Sequence, residues 1–146
     1  MLFCPISQCR FFAGPDIPRN RIIIGGFSQG GAVALSTLFR NPDVAGCLAL
    51  STYMPGNKAP APVLQSQGEE DEVVSFQRGK IDTPILQCHG EEDEVISFQR
   101  GKLTHEILTS LANNVEFKAF RGMGHENNME EMQVVTQFIK DRLGRS

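Results

Sequence analysis

Ser28 lies in Gly26-Phe27-Ser28-Gln29-Gly30, a G-x-S-x-G pentapeptide. It is flanked by a β-branched run before it and a segment of helical periodicity after it. A serine hydroxyl is a weak nucleophile unless a base takes its proton. A tight strand-to-helix turn lifts such a hydroxyl clear of a sheet and sets it beside the free N–H groups of a helix start. Those N–H groups favour an anion developing on an attacked carbonyl, and the N–H of Gln29 is the candidate oxyanion donor. Small residues two before and two after the serine relieve the crowding that the turn imposes. The plain alternative is a glycine-rich turn, because Gly and Ser are common in turns.

A nucleophilic serine requires a base, and the chain offers His89, His105 and His125. His105 falls in a predicted helix beside Glu106, where a solvated side chain is the expectation. His89 directly follows a predicted strand, which suggests a structural role. His125 lies in Arg121-Gly122-Met123-Gly124-His125, a flexible stretch between the last predicted strand and the last predicted helix. In hydrolases with a G-x-S-x-G turn the chain order is serine, acid, histidine. His125 fits that order as the base. The acid must orient the imidazole and stabilise its protonated form, and it belongs on a loop after a strand. The run Glu91-Glu92-Asp93-Glu94 meets that requirement, although most of its carboxylates must simply be solvated.

These residues need a scaffold, and the periodicities supply one. Residues 22–24 form a β-branched run ending at Gly25-Gly26 and read as a buried strand. Residues 29–40 place Ala32, Leu35, Leu38 and Phe39 on one helical face, and Asn41-Pro42 ends that helix. Residues 44–52 and 83–88 read as second and third strands, with 55–62 as a loop. Residues 95–112 read as a helix carried by Leu103, Ile107, Leu108 and Leu111, weakened near its start by Gly101. Residues 114–120 alternate Val115, Phe117, Ala119 against Glu116 and Lys118, as a fourth strand. Met129, Met132, Val135, Ile139 and Leu143 recur at helical spacing up to a stop at Gly144. Strands alternating with helices predict an α/β fold with a parallel sheet and right-handed crossovers.

The bulk composition excludes several classes. A chain of 146 residues has the length of one domain. Its net charge of −3 gives no basic patch for nucleic acid, and no apolar run approaches a membrane span of about 20 residues. Cys4, Cys9, Cys47 and Cys88 show neither CxxC nor zinc spacing. Cys47 and Cys88 read as buried free thiols in a reducing cytosol. The tetrad Glu-Glu-Asp-Glu occurs at 69–72 and again at 91–94, supplying eight of the 17 acidic residues. It marks a duplication: residues 61–80 and 83–102 are identical at 15 of 20 positions, at an offset of 22. Surface-type residues repeat unchanged, and two copies do not build a solenoid. A recent tandem duplication accounts for the repeat better than an architectural period does.

The chain resembles the acyl-protein thioesterase/carboxylesterase family of small cytosolic serine hydrolases. The resemblance rests on residues 17–32, 45–55, 84–93 and Gly122-Met123-Gly124-His125, which fall in the family's order. It implies Ser28 as nucleophile, His125 as base and Asp93 as acid, the last because the family's His-Gly-x-x-Asp places the acid third after the glycine. It also implies hydrolysis of S-palmitoyl groups on proteins, of lysophospholipids or of simple acyl esters, with no metal or organic cofactor. Tyr53 and Met54, just past a predicted strand end, are candidate walls for an acyl chain.

Three departures from the family pattern follow. Glu94 stands where the family has proline, and a second carboxylate there would raise Asp93 by like-charge repulsion. The duplication offers Asp71 as a rival acid, but its copy carries Gln67 where the other has His89. That copy also lies too close to the next strand for a parallel crossover, so 61–82 is expected to be an insertion over the surface. Finally, the resemblance starts just before the nucleophile strand. It implies a partial α/β-hydrolase fold, with 1–16 irregular and 17–146 the C-terminal portion. The family's early glycine-rich loop, which gives a second oxyanion donor, is not matched. Loss of one such donor lowers rates by about 10²–10³. The strand at 22–24 would then present an open sheet edge suited to self-association.

Overall fold

A computed structural model describes residues 16–55 and 79–144. Among the described residues, four strands and three helices follow a short 3-10 turn at Arg19–Arg21. They run β1 (Ile23–Phe27), α1 (Gln29–Arg40), β2 (Gly46–Leu50), β3 (Ile85–Gly90), α2 (Phe98–Leu111), β4 (Val115–Phe120) and α3 (Met129–Leu143). All strand pairs are parallel, in the order β1-β2-β3-β4. Gln67, Asp71 and the rest of their repeat copy up to residue 78 lie outside the described residues, as do Cys4, Cys9 and nearly all of the stretches 1–16 and 55–62.

Strand alternation divides the core into two faces. On one, Ala34, Leu35 and Leu38 of α1 and Leu108 of α2 pack on Cys47, Ala49 and Ile85. On the other, Val135 and Phe138 of α3 pack on Leu48, Leu86, Cys88 and Phe120. The sheet is thus covered on both sides, as an all-parallel sheet requires. β3, in the sheet interior, is buried at every position. Burial pushes both the Cys47 and Cys88 thiols up to about 12. Neither forms the thiolate that nucleophilic chemistry needs at neutral pH.

The elements match the sequence expectations closely, with instructive shifts. β1 and β3 run on through Phe27 and Gly90, beyond the apolar runs, because parallel pairing continues to Phe27↔Leu50 and Gly90↔Phe120. His89 is therefore a strand residue and not the start of a turn. Gly101 lies inside α2, where a Cβ would come 2.7 Å from the His89 ring. The glycine is there for close packing. In β4, Ala119 is exposed while Phe120 is buried.

The largest shift concerns α3. Periodicity selected Met129 and Ile139 for the core, yet Met129 is 76% exposed and Ile139 is 38% exposed. The buried stripe is Glu131, Val135 and Phe138. Asn128 caps the helix by accepting the Glu131 N–H at 2.8 Å. The cap makes Glu131 the third residue of the helix, and the packing of Val135 and Phe138 on the sheet turns this stripe, Glu131 included, inward. Glu131 is fully buried, and among the described residues neither carboxyl oxygen makes a full hydrogen bond. Burial raises its pKa from 4.5 to about 7, against a smaller lowering pull from the Asn128 N–H.

A carboxyl raised in the folded state holds its proton more tightly there than in the unfolded chain. Its destabilising effect is absent below the unfolded pKa and grows as pH rises toward the folded one. The shift corresponds to about 3 kcal/mol once Glu131 is fully ionised. Urea unfolding of Glu131→Gln should therefore gain on the parent by about 2–3 kcal/mol between pH 5 and pH 8. A difference that does not change with pH would show that Glu131 is not the titrating group.

Candidate active site

The C-terminal ends of the four strands gather the chemistry. Ser28 follows β1 directly, with φ 55° and ψ −122°. A non-glycine residue in that region is strained by about 1–3 kcal/mol and needs its surroundings to hold it. The end of β2 and the residues just past it do so: the Ser28 N–H donates to Leu50 O at 2.8 Å, and Thr52 Oγ1 donates to Ser28 O at 2.6 Å. The tightness of the turn is visible at Gly26, where a Cβ would come 2.3 Å from the Gly30 backbone. On the helix side the spatial demand falls one residue later than the motif suggests. A Cβ on Gly30 would meet nothing described within 4 Å, whereas one on Gly31 would come 2.6 Å from Thr52 Cβ.

The Ser28 hydroxyl separates a capping serine from a reactive one. Ser97 and Asn128, at the N-caps of α2 and α3, accept N–H bonds from Arg100 and Glu131 in the usual way. Ser28 holds the same position on α1 and makes no such bond. Its Oγ lies 3.0 Å from His125 Nε2. His125 Nδ1 lies 2.9 Å from Asp93 Oδ2. The chain Asp93–His125–Ser28 is thus closed by contacts within hydrogen-bond range. With Asp93 ionised, Nδ1–H donates to the carboxylate, leaving Nε2 free to accept the serine proton.

The acid and base reach each other because β3 and β4 are neighbours. Their loops continue the pairing, with Glu91 N–H on Phe120 O and Glu92 N–H on Met123 O, both at 3.0 Å. Gly90 admits this approach, since a Cβ there would lie 2.1 Å from Met123 O. Gly122 turns the base loop with φ +75°, and Met123 anchors it in the core. In the acid loop, Asp93 Oδ1 accepts the N–H groups of Val95 and Ile96, each at 2.9 Å. Burial acts to raise the Asp93 carboxyl. The bonds from His125, Ile96 and Val95 outweigh it and hold the group below its ordinary value. Beneath it, fully buried His89 places Nε2 2.7 Å from Ile96 O and 3.6 Å from Asp93 Oδ2. The former bond makes Nε2–H the donor and ties the loop to β3. Phe27, which periodicity left unassigned, packs its ring 4.7 Å from that of His125.

The remaining sequence candidates lie close by. Gln29 is the first residue of α1, so its N–H has no acceptor within the helix. Tyr53 lies under the Arg100 guanidinium, 4.7 Å from its ring centroid. Met54 packs against the core face shared by α1 and α2, and its N–H donates to Thr104 Oγ1 at 3.0 Å. Glu94 is exposed, so its charge is screened by solvent and Asp93 remains lowered. His105 stacks on Phe117, away from this cluster. A groove of about 680 Å³ between β4 and α3 is lined by Pro84, Asn114, Phe138 and neighbours, at the opposite ends of the strands.

Comparison with known proteins agrees with this architecture. The family model described as Phospholipase/Carboxylesterase matches residues 7–143. Acyl-protein thioesterase 1 homolog 1 of Dictyostelium discoideum is 39% identical over 137 residues, 87% of this chain and 51% of that protein. Acyl-protein thioesterase 1 of Neurospora crassa is 37% identical over 140 residues, 87% of this chain and 48% of that protein. The chain spans about half the length of the curated relatives it matches. The crystal structure of Arabidopsis thaliana SOBER1 superposes with a TM-score of 0.68 at 29% identity, over 88% of this chain and 56% of that one. That of Zea mays acyl-protein thioesterase 2 gives 0.67 at 24% identity, over 95% and 60%, and shows likeness of fold. Among the described residues no helix is long and apolar enough to cross a membrane. With its parallel sheet forming part of an α/β-hydrolase fold, the chain belongs to the phospholipase/carboxylesterase family.

Proposed function

We propose that the protein is a serine hydrolase of the acyl-protein thioesterase type, acting on long-chain acyl thioesters of proteins or on acyl esters in the cytoplasm. The observation that carries this reading is the Asp93–His125–Ser28 chain, at 2.9 and 3.0 Å, on a serine that forgoes its helix cap. In this reading His125 Nε2 takes the Ser28 proton as Oγ attacks the acyl carbonyl. Asp93 stabilises the imidazolium that forms. The tetrahedral oxyanion faces the Gln29 N–H. Collapse breaks the carbon–sulfur or carbon–oxygen bond, and His125 returns the proton to the departing thiol or alcohol. Water, deprotonated by His125, then releases the fatty acid from Ser28. Tyr53 and Met54 would border the acyl chain. The names of the thioesterase relatives favour protein-bound acyl groups as substrate.

A second reading, acyl binding or self-association without turnover, is favoured by one observation. Among the described residues β1 pairs only with β2, which leaves its other edge open. A fluorophosphonate probe separates the two readings. The first expects labelling at Ser28 by intact mass, abolished in Ser28→Ala. A folded sample that takes no label would favour the second.

Two further outcomes test the roles of acid and base. His125→Ala and Asp93→Asn should each lower kcat by about 10³–10⁴-fold, since neither change spares the proton transfer. Activity should fall as pH drops from 8 to 5, because a general base works only while it is unprotonated. Asp93, held below its ordinary value, stays ionised throughout. A profile flat over this range would remove His125 from the role of base.

A further inference from the structure

Thr52, two residues past the C-terminal end of β2, is fully buried. Its hydroxyl donates to the Ser28 carbonyl at 2.6 Å. That carbonyl also accepts from Gly31 N–H at 3.0 Å and Ala32 N–H at 3.3 Å. The helix alone would therefore satisfy it, and the Thr52 bond is additional. The Ser28 carbonyl and the Gln29 N–H belong to one planar trans peptide, in which C=O and N–H point in opposite directions. A bond that fixes the carbonyl therefore fixes the N–H on the other side. It also polarises the peptide, since an acceptor bonded at its oxygen is a better donor at its nitrogen.

We propose that Thr52 is a positioning residue that aims and strengthens the Gln29 N–H as an oxyanion donor, acting through the Ser28–Gln29 peptide. The proposal rests on the reading of Ser28 as nucleophile. Two observations support an oriented contact over mere filling of space. Gly31 has no room for a Cβ because Thr52 Cβ would lie 2.6 Å away, so α1 presses onto this side chain and holds its hydroxyl in place. Ser28, at φ 55°, is clamped on both of its peptide units, by Leu50 O at the end of β2 and by Thr52 Oγ1 just past it. Only the second clamp is made by a side chain, so only that one can be altered by substitution. Neighbouring Ser51 offers no substitute, because its buried Oγ reaches no partner among the described residues, the Ser28 carbonyl included.

Thr52→Val keeps the shape and removes the donor, whereas Thr52→Ser keeps the donor and removes the methyl group. With a p-nitrophenyl acyl ester, Thr52→Val should lower kcat about tenfold with KM little changed, and Thr52→Ser should retain most of kcat. A trifluoromethyl ketone, whose adduct places an oxyanion in the site, should lose affinity by the same factor in Thr52→Val. The Gln29 amide resonance gives a readout that does not need turnover. It should shift and exchange faster in Thr52→Val and stay near its parent position in Thr52→Ser. Unchanged kcat, inhibitor affinity and Gln29 resonance in a folded Thr52→Val would overturn the proposal. So would equal damage from Thr52→Ser, which would assign the effect to packing. A parent chain without activity whose Gln29 amide still responds to Thr52→Val would sink the hydrolase reading and leave the Thr52 linkage standing.

Discussion

A left-handed backbone at a residue with a side chain does not persist by itself. Ser28 adopts one, and the end of β2 makes it tolerable by binding both of its peptide units. Much of the site depends on that constraint. The parallel register Phe27↔Leu50 brings the Leu50 carbonyl level with the Ser28 N–H. The tight turn demands glycine at 26, and the approach of α1 to Thr52 demands it at 31. The strained turn also directs the Ser28 hydroxyl away from the helix it precedes and toward His125. Ser97 and Asn128 show what a cap does when no such turn intervenes.

The same principle operates on the other side of the site. Acid and base lie 32 positions apart in the chain, and only the adjacency of β3 and β4 brings them together. Pairing continues past the strand ends into both loops, so the two loops are fixed relative to one another. His89 adds a tie from below, and Gly101 makes room for its ring. Asp93 is thereby buried yet ionised, because its oxygens accept bonds from His125, Val95 and Ile96. Glu131 is the contrast within the same fold. Its carboxyl is buried with no full hydrogen bond among the described residues, and it is raised to about 7. Burial pushes both groups the same way, and hydrogen bonds decide the difference.

The sequence made some of this legible and left the rest hidden. Helix and strand positions followed from periodicity because each element buries one stripe or alternates across a covered sheet. Ser28 and His125 were marked by local signals, a glycine-framed turn and a flexible loop in the right chain order. The residue pattern left the acid open among four neighbouring carboxylates, and the family resemblance selected Asp93. The structure shows why they differ. Asp93 closes the turn that begins at Gly90 and is buried, while Glu91, Glu92 and Glu94 face solvent. Periodicity misplaced Met129 and Ile139 because it weighs hydrophobicity alone. The packing of Val135 and Phe138 on the sheet sets which stripe of α3 is covered, and Glu131 lies on that stripe.

By itself, then, the sequence determined what depends on local spacing: the alternation of strands and helices, the serine turn, and the order serine, acid, histidine. Tertiary structure alone decided what depends on distance across the sheet. It brought Asp93 to His125 and His125 to Ser28, and it set Phe27 against the imidazole. It also placed the Thr52 hydroxyl on the Ser28 carbonyl. Thr52 carried no signal in the chain, where it was one more residue at the end of an apolar run. Its role arises from register, because pairing β1 with β2 in this alignment is what puts a hydroxyl from one strand end against the peptide that follows the other.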